Sequence, residues 1–430
     1  MSEWKKVKLG ELCNFINGGA WSDKEYAPVG IPVLKVTNCK SSGFSLSELS
    51  YLPYSLEQKY IQNKLQRNDV IIATVGSHPN LVNSSAGRSV IVNSFVEGFY
   101  LNQNAVCIRT KDRGVLDQLF WGYYSKYYLF QNYIQMRGKG AANQMRIAIS
   151  AIKEYPMPLP PINVQRHIAS ILSRYDSLIE NYQKQIKLLE EAAQRLYKEW
   201  FVDLRFPGHE NTKNVNGLPD GWEKRTFGSV IEYEIGGGWG ADTKTSNSII
   251  PAYVIRGTDM SALDMGALKE LPYRFHQESN YKARQLMHND IVFEVSGGSK
   301  NEGVAKTFLV QQELLDKLDN HVICASFCKL IRLKDSSTAY YIYDTLKEWR
   351  ASGITTQYDK RSASSIVNYR WKDFLSQQEI VIPNEIVLRD YIKKSELIHS
   401  SITKKSSQIR LLTEARDRLL PKLMSGEIKI

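Results

Sequence analysis

The stretch "LPDGWEKRTFGSVIEYEIGGGW" (Leu218–Trp239) lies in mid-chain yet has the layout of a beginning: a turn, a Trp, a strand-like run and a glycine loop. The true start, "SEWKKVKLGELCNFINGGAW" (Ser2–Trp21), has the same layout. At one offset of 218 residues, Trp4 falls on Trp222, Gly10 on Gly228, Gly18 and Gly19 on Gly236 and Gly237, and Trp21 on Trp239. Further along, "NDVIIATVG" (Asn68–Gly76) falls on "NDIVFEVSG" (Asn289–Gly297) at an offset of 221. "IKLLEEAAQRL" (Ile186–Leu196) then falls on "IRLLTEARDRL" (Ile409–Leu419) at 223, with seven of eleven positions identical. An offset that drifts so little over half a chain marks a duplication with insertions confined to loops.

The bulk numbers agree with two modules. A chain of 430 residues is too long for one ordinary core, and 43% hydrophobic with 23% charged residues is the balance of a soluble globular protein. No run of 18 apolar residues is present, so no membrane span is expected. The N-terminus lacks an apolar stretch followed by a small-residue cleavage site, which argues against secretion. Five cysteines, none in a C-x-x-C pair, fit reduced, buried residues of a cytoplasmic protein and not a disulfide frame or zinc site. The net charge of +11 points to a polyanionic partner.

Each copy has two parts. The first is rich in short β-like runs punctuated by Gly, Asn and Pro, such as "IPVLKVTN" and "NAVCIRT". Within it, one helix is expected over "GVLDQLFWGYYSKYYLFQNYIQM" (Gly114–Met136), with its counterpart in "SSTAYYIYDTLKEWRAS" (Ser336–Ser352). The second part is a long helix. Ile168, Leu172, Tyr175, Ile179, Tyr182, Ile186, Leu189, Ala193, Leu196 and Trp200 follow one another in alternating steps of four and three, a heptad seam. Copy two keeps the seam at Ile398, Ile402, Ile409, Leu412, Leu419 and Leu423, interrupted by Lys405 and Arg416. A helix from Asn163 to Phe201 would run roughly 57 Å.

A seam this regular needs a partner helix, and the other copy supplies one. Antiparallel pairing is expected, because the first helix must carry the chain away from the first head before the second can begin. The fold expected is therefore α+β. Residues 1–160 form the first β-rich globular head, 161–205 the central long helix, 206–383 the linker and second head, and 384–430 the C-terminal long helix. The heads would sit in a pseudo-two-fold arrangement, separated by an antiparallel coiled coil.

Two similar basic modules spaced by helices suit a ligand that repeats along an axis, as double-stranded DNA does at about 3.4 Å per base pair. The candidate contacts are loops present in both copies. Gly18, Gly19 and Trp21, with Gly237, Gly238 and Trp239, offer bare backbone for the close approach of a phosphate. Ser77, His78 and Asn80, matched by Ser299, Lys300 and Asn301, carry hydroxyl, amide and basic groups able to bond phosphates or base edges. Arg137, Lys139, Asn143 and Arg146, matched by Lys360, Arg361 and Arg370, form basic, small-residue segments ahead of each long helix. Catalytic signatures are missing: no G-x-x-x-x-G-K-[ST] loop, no adenine-methyltransferase Asn/Asp-Pro-Pro-Tyr, and seven scattered histidines without metal-ligand spacing.

Taken in order, "LPDGW", the two glycine loops, both Asn-Asp runs, "PLPPINVQRHIASIL" (Pro158–Leu172) and the two helix motifs resemble a specificity subunit of a Type I restriction-modification system. The resemblance implies two target-recognition domains, each reading one half of a bipartite, asymmetric DNA site across a non-specific spacer. It further implies two docked modification subunits, which carry S-adenosylmethionine and methylate adenine, and restriction subunits that use ATP and Mg. This chain would itself hold no catalytic residue, cofactor or metal. The second copy departs from the pattern at "VIPNEIVLRDYI" (Val381–Ile392), which lacks the doubled proline and the Gln of copy one. Two other readings use the same features. One is the specificity chain of another restriction class whose nuclease and methyltransferase share one polypeptide; the other is a coiled-coil scaffold that never reads DNA.

Overall fold

The structure, a computed structural model, describes residues 4–428 apart from 41–42, 47–48, 78–85, 141–144, 265–267, 269–270, 298–302 and 362–365. It divides into two compact units: Met1–Glu180 with Leu411–Ile430, and Asn181–Arg410. Each unit thus takes a head together with one part of each long helix.

In unit 1, four strands form an antiparallel sheet in the order Cys13–Asn17, Ala105–Thr110, Val70–Ala73, Ser89–Ile91. All four residues of Val70–Ala73 are buried, so this apolar run is covered on both faces. Phe120, Trp121, Tyr124 and Phe130 pack with Val70 and Ile72 on one side, while Leu34, Cys39, Val96 and Cys107 pack with Ile71 on the other. Strand Ile31–Leu34 pairs parallel with Tyr100–Leu101 and antiparallel with Ser50–Leu52. The head is closed by Lys5–Lys8 pairing with Pro156–Leu159, which delivers the chain into the first long helix at Ile162.

Unit 2 repeats this topology. Its four-stranded sheet runs Ile231–Gly236, Cys328–Leu333, Ile291–Glu294, Thr307–Leu309. Strand Ile250–Ile255 again has one parallel neighbour, Val322–Cys324, and one antiparallel, Tyr273–His276. Glu223–Thr226 closes on Glu379–Ile382 ahead of the second long helix.

Two expectations need correction. The single helix expected over Gly114–Met136 is two, Gln118–Tyr124 and Tyr128–Gln135. Buried Ser125 breaks it: its hydroxyl donates to the Gly122 carbonyl, and the Ser125 carbonyl accepts from Gln131 Nε2 at 2.6 Å. The counterpart, Ala339–Ala351, is unbroken. Secondly, the glycine loops align one residue later than the offset of 218. Strand Ile231–Gly236 carries a bulge between Ile231 and Tyr233, and the extra residue shifts everything after it. Gly18 therefore matches Gly237: Gly18 N–H bonds Ala105 O at the end of its strand, and Gly237 N–H bonds Cys328 O. Trp21 and Trp239 lose their equivalence.

The long helices are Ile162–Tyr197, continued by a π-helical turn at Lys198–Val202, and Glu385–Met424. Within unit 1, Leu420, Leu423 and Met424 share a cluster with Ile168, Ala169 and Leu172, and Arg416 reaches Asp176 at 2.5 Å. Rising along one helix means descending the other, so the pairing is antiparallel. Within unit 2, Lys405 Nζ lies 5.4 Å over the Tyr182 ring, and Tyr391 packs on Trp200 and Phe201 at 5.7 and 4.7 Å, again antiparallel. Seam residues Ile179, Ile186, Ile402 and Ile409 are buried, and Leu189, Leu196, Leu412 and Leu419 are half-buried. The two interruptions are paired, not exposed: Lys405 by an aromatic face, Arg416 by Asp176 and Asp417.

Each head is pinned to its own helix at the same place. In unit 1, Tyr123 Oη donates to Asp176 at 2.7 Å, and Arg67 grips Glu180 with both nitrogens at 3.2 and 2.7 Å. In unit 2, buried Asp344 accepts from Tyr391 Oη at 2.7 Å, Ser395 Oγ at 2.6 Å and His399 Nε2 at 2.8 Å. Asp176 and His399 occupy matching helix positions, with the carboxylate moved from helix to head.

Candidate nucleic-acid interface

The Asn-Asp runs are built as scaffold. Asn68 and Asn289 take left-handed backbone, with φ of 70° and 69°, a conformation that favours Asn. The next carboxylate turns inward. Asp69 accepts the Gln66 N–H at 2.7 Å and both Arg109 Nε and Nη2 at 2.7 Å. Asp290 accepts the Met287 N–H at 2.7 Å and Arg332 Nε and Nη2 at 2.9 and 2.7 Å. Donating to its carboxylate raises each arginine above its ordinary range despite partial burial. Sequence inspection missed Arg109 and Arg332. The signal was available, since "CIRT" and "LIRL" sit at the same 223 offset as the helix motifs.

The glycine loops also turn out to be packing devices. A Cβ on Gly18 would meet Asn102 O at 1.9 Å, and one on Gly237 would meet the Cys324 and Ala325 carbonyl oxygens at 2.2 Å. These glycines permit strand-to-loop contact inside the protein. A Cβ on Gly19 would strike the Trp21 ring at 2.1 Å. Trp21 is core: it is buried, packs on Tyr60 at 5.2 Å and donates its Nε1 hydrogen to Tyr26 Oη at 3.0 Å. Trp239 differs. It is 40% exposed, with the Arg274 guanidinium 4.7 Å beneath its ring. Arg274 also bonds the Trp239 and Gly240 carbonyls at 3.2 and 3.3 Å and the Asp242 carboxylate. Gly238 stands beside Arg284, whose Nε donates to Gly236 O at 2.9 Å.

The basic segments come together with the strands that follow the Asn-Asp runs. In unit 1, Met145–Arg146 pairs with Val75–Gly76, next to Ser77, and Arg146 exchanges both backbone hydrogen bonds with Lys139 at 2.9 and 2.8 Å. In unit 2, Val367–Tyr369 pairs with Ser296–Gly297 on one side and with Asp359–Arg361 on the other. Lys139, Arg146 and Lys360 are exposed. Arg137 and Arg370 are engaged locally. Arg137 stacks 3.5 Å over Tyr133 and bonds its carbonyl, while Arg370 holds Asp373 at 3.3 Å and the Gln357 carbonyl. The side chain of Arg361, and His78, Asn80, Asn143, Ser299, Lys300 and Asn301, lie outside the described residues.

Among the described residues no group of three His, Cys, Asp or Glu side chains could hold a metal ion, and no helix is long and apolar enough to cross a membrane. All five cysteines are free and buried, and burial pushes the thiols of Cys13, Cys39 and Cys324 up to about 12.

Residues 1–191 match the family described as Type I restriction modification DNA specificity domain. The second half repeats the sheet order of the matched half, apart from the bulge at Ile231–Tyr233. The chain's relatives among curated proteins are specificity subunits of Type I restriction enzymes. It is similar to the MjaIX specificity subunit of Methanocaldococcus jannaschii, 27% identical over 296 residues, which are 65% of this chain and 62% of that relative. The HindI specificity subunit of Haemophilus influenzae matches over the whole of both chains at 20% identity. In fold, it is similar to the Type I system S subunit from M. genitalium, with a TM-score of 0.51 and 16% identity over 98% of this chain and 96% of that one.

Proposed function

We propose that this chain is the specificity subunit, and so the sequence-reading chain, of a Type I restriction-modification system, each unit reading one half of a bipartite, asymmetric site on double-stranded DNA. The observation that carries this reading is the pairing of a shared scaffold with unshared surfaces. The part-buried Arg on its buried Asp, the packing glycines and the sheet order recur in both units, whereas exposed side chains such as Arg146 and Asn368 differ at matching strand positions. Two copies of one frame carrying different exposed groups are what two different half-sites require.

The long helices would set the spacer and, on their outward faces, dock two modification subunits; restriction subunits would join the same assembly. Methyl transfer from S-adenosylmethionine and ATP- and Mg-dependent cleavage would belong to those partners, with this chain contributing no catalytic group. Mapping methylated adenines in cells that carry the system tests the proposal. The expected result is a two-part motif with unlike halves. A single contiguous motif, or methylation without sequence preference, would overturn it.

A further inference from the structure

Matched strand positions reach further than the repeat in the sequence. In unit 1, Arg146 lies between Val75 on one neighbouring strand and Lys139 on the other. In unit 2, Asn368 lies between Ser296 and Lys360 in the same way. Residues directly opposite one another on antiparallel strands share a face, so each trio forms one row across a small sheet. The middle residue is exposed in both rows and flanked by buried ones, Met145 and Ile147 in unit 1, Val367 and Tyr369 in unit 2. The outer Lys is exposed in both. Among the described residues, Lys139, Arg146 and Lys360 make no side-chain hydrogen bond or ion pair.

We propose that these rows are matched reading heads: Lys139 and Lys360 hold the DNA backbone in both units, while Arg146 and Asn368 each choose one base, guanine for Arg146 and adenine for Asn368. This rests on the DNA-reading role proposed above and assigns its chemistry residue by residue. The invariant member of the row is a flexible point charge suited to a phosphate, which carries no sequence information. The variable member is the part that must change between unlike half-sites. Arginine presents a planar fork of donors that fits the O6 and N7 acceptors of guanine. An asparagine amide offers the donor and acceptor that fit adenine N7 and N6. Ser296 supports the assignment for Asn368. Its hydroxyl donates to Asn368 Oδ1 at 2.8 Å, orienting the amide while leaving the nitrogen and the oxygen's second lone pair available. Val75 offers nothing comparable to Arg146, and a guanidinium with its fixed donor geometry has less need of it.

The test is selection from randomised duplexes with the full chain in its assembled complex, comparing wild type with Asn368→Arg, Arg146→Asn and Lys360→Ala. Asn368→Arg should change one base of one half-site from adenine to guanine. Arg146→Asn should make the reverse change in the other half. In each case the discrimination shifts by about 5- to 150-fold at that position alone. Lys360→Ala should weaken binding to all sequences alike and lower the slope of log affinity against log salt by about one. Variants that bind with unmoved preferences, or that alter both halves at once, overturn the assignment and leave the function standing. A wild-type complex without sequence preference overturns both. If Asn368→Arg abolishes binding, Asn368→Ala replaces it, with a loss of preference at one position expected and an unchanged preference counting against the proposal.

Discussion

Removing the Asp69 carboxylate measures how much each head depends on the salt bridge beneath its sheet. In the Asp69→Ala variant, the Gln66 N–H and two donors of Arg109 lose their acceptor together. The Arg109 side chain is 23% exposed and keeps a bond from Nη2 to Lys64 O at 2.8 Å, so the stranded charge is partly relieved. That places the cost at the low end of the range for breaking a buried pair, about 3 kcal/mol. Hydrogen exchange read peptide by peptide reports each unit separately. A loss of this size should speed exchange roughly 150-fold in strands Val70–Ala73 and Ala105–Thr110 and leave Ile291–Glu294 unchanged. Asp290→Ala should do the converse in unit 2. The double variant Asp69→Ala with Arg109→Met should recover at least about 1 kcal/mol relative to the sum of the single losses, since neither stranded partner remains. Strict additivity, or equal acceleration in both units, would refute the reasoning.

The corrected loop register makes a second test: Trp21→Ala should cost about 3–5 kcal/mol in urea unfolding and Trp239→Ala less than about 1, whereas equal costs would restore the offset of 218. Inserting four helical residues after Glu190 adds about 6 Å and should lengthen the spacer of the methylated motif while both half-sites stay the same. An unchanged spacer sinks the ruler role of the helices. Burial raises the Asp176 carboxyl, but Lys126 and Arg416 outweigh it and hold the group below its ordinary value. Its contribution is therefore complete above the unfolded carboxylate value of about 3.9 and is lost as pH falls through the lower folded one. Acid unfolding of unit 1 should flatten in Asp176→Asn; an unaltered pH slope would show that the carboxylate adds nothing.

What the sequence disclosed, and what it hid, follows from the distance between interacting residues. The seam of Ile179, Ile186, Leu189 and Leu196 was legible because a helix repeats every few residues, so the periodicity is local. The sheets were legible as strands, though not in their purpose: Asp69 finds its arginine 40 positions away, and nothing adjacent to "NDV" announces it. The bulge at Ile231–Tyr233 was invisible because one extra residue in a strand leaves composition and pattern nearly untouched. It nevertheless converted a matched pair of tryptophans into one core residue and one surface residue. Arg416 looked like a defect in the seam until its partner appeared, from another helix and 240 positions away.

The duplication also supplies an internal control that a single domain lacks. Where both units place the same group on the same buried carboxylate, as with Arg109 and Arg332, the simplest cause is the demand of the fold, since the frame is what they share. Where the register is common but the exposed residue is not, as with Arg146 and Asn368, the fold has been satisfied twice by different chemistry, so folding cannot be what selects between them. The same logic separates Gly18 and Gly237, each pressed against carbonyl oxygens, from Trp239, whose ring one unit holds outward and the other has no equivalent for. A DNA site with unlike halves demands differences of this second kind and tolerates few of the first. Substitutions at the shared buried positions should therefore register in stability, and substitutions at the unshared exposed ones in base preference.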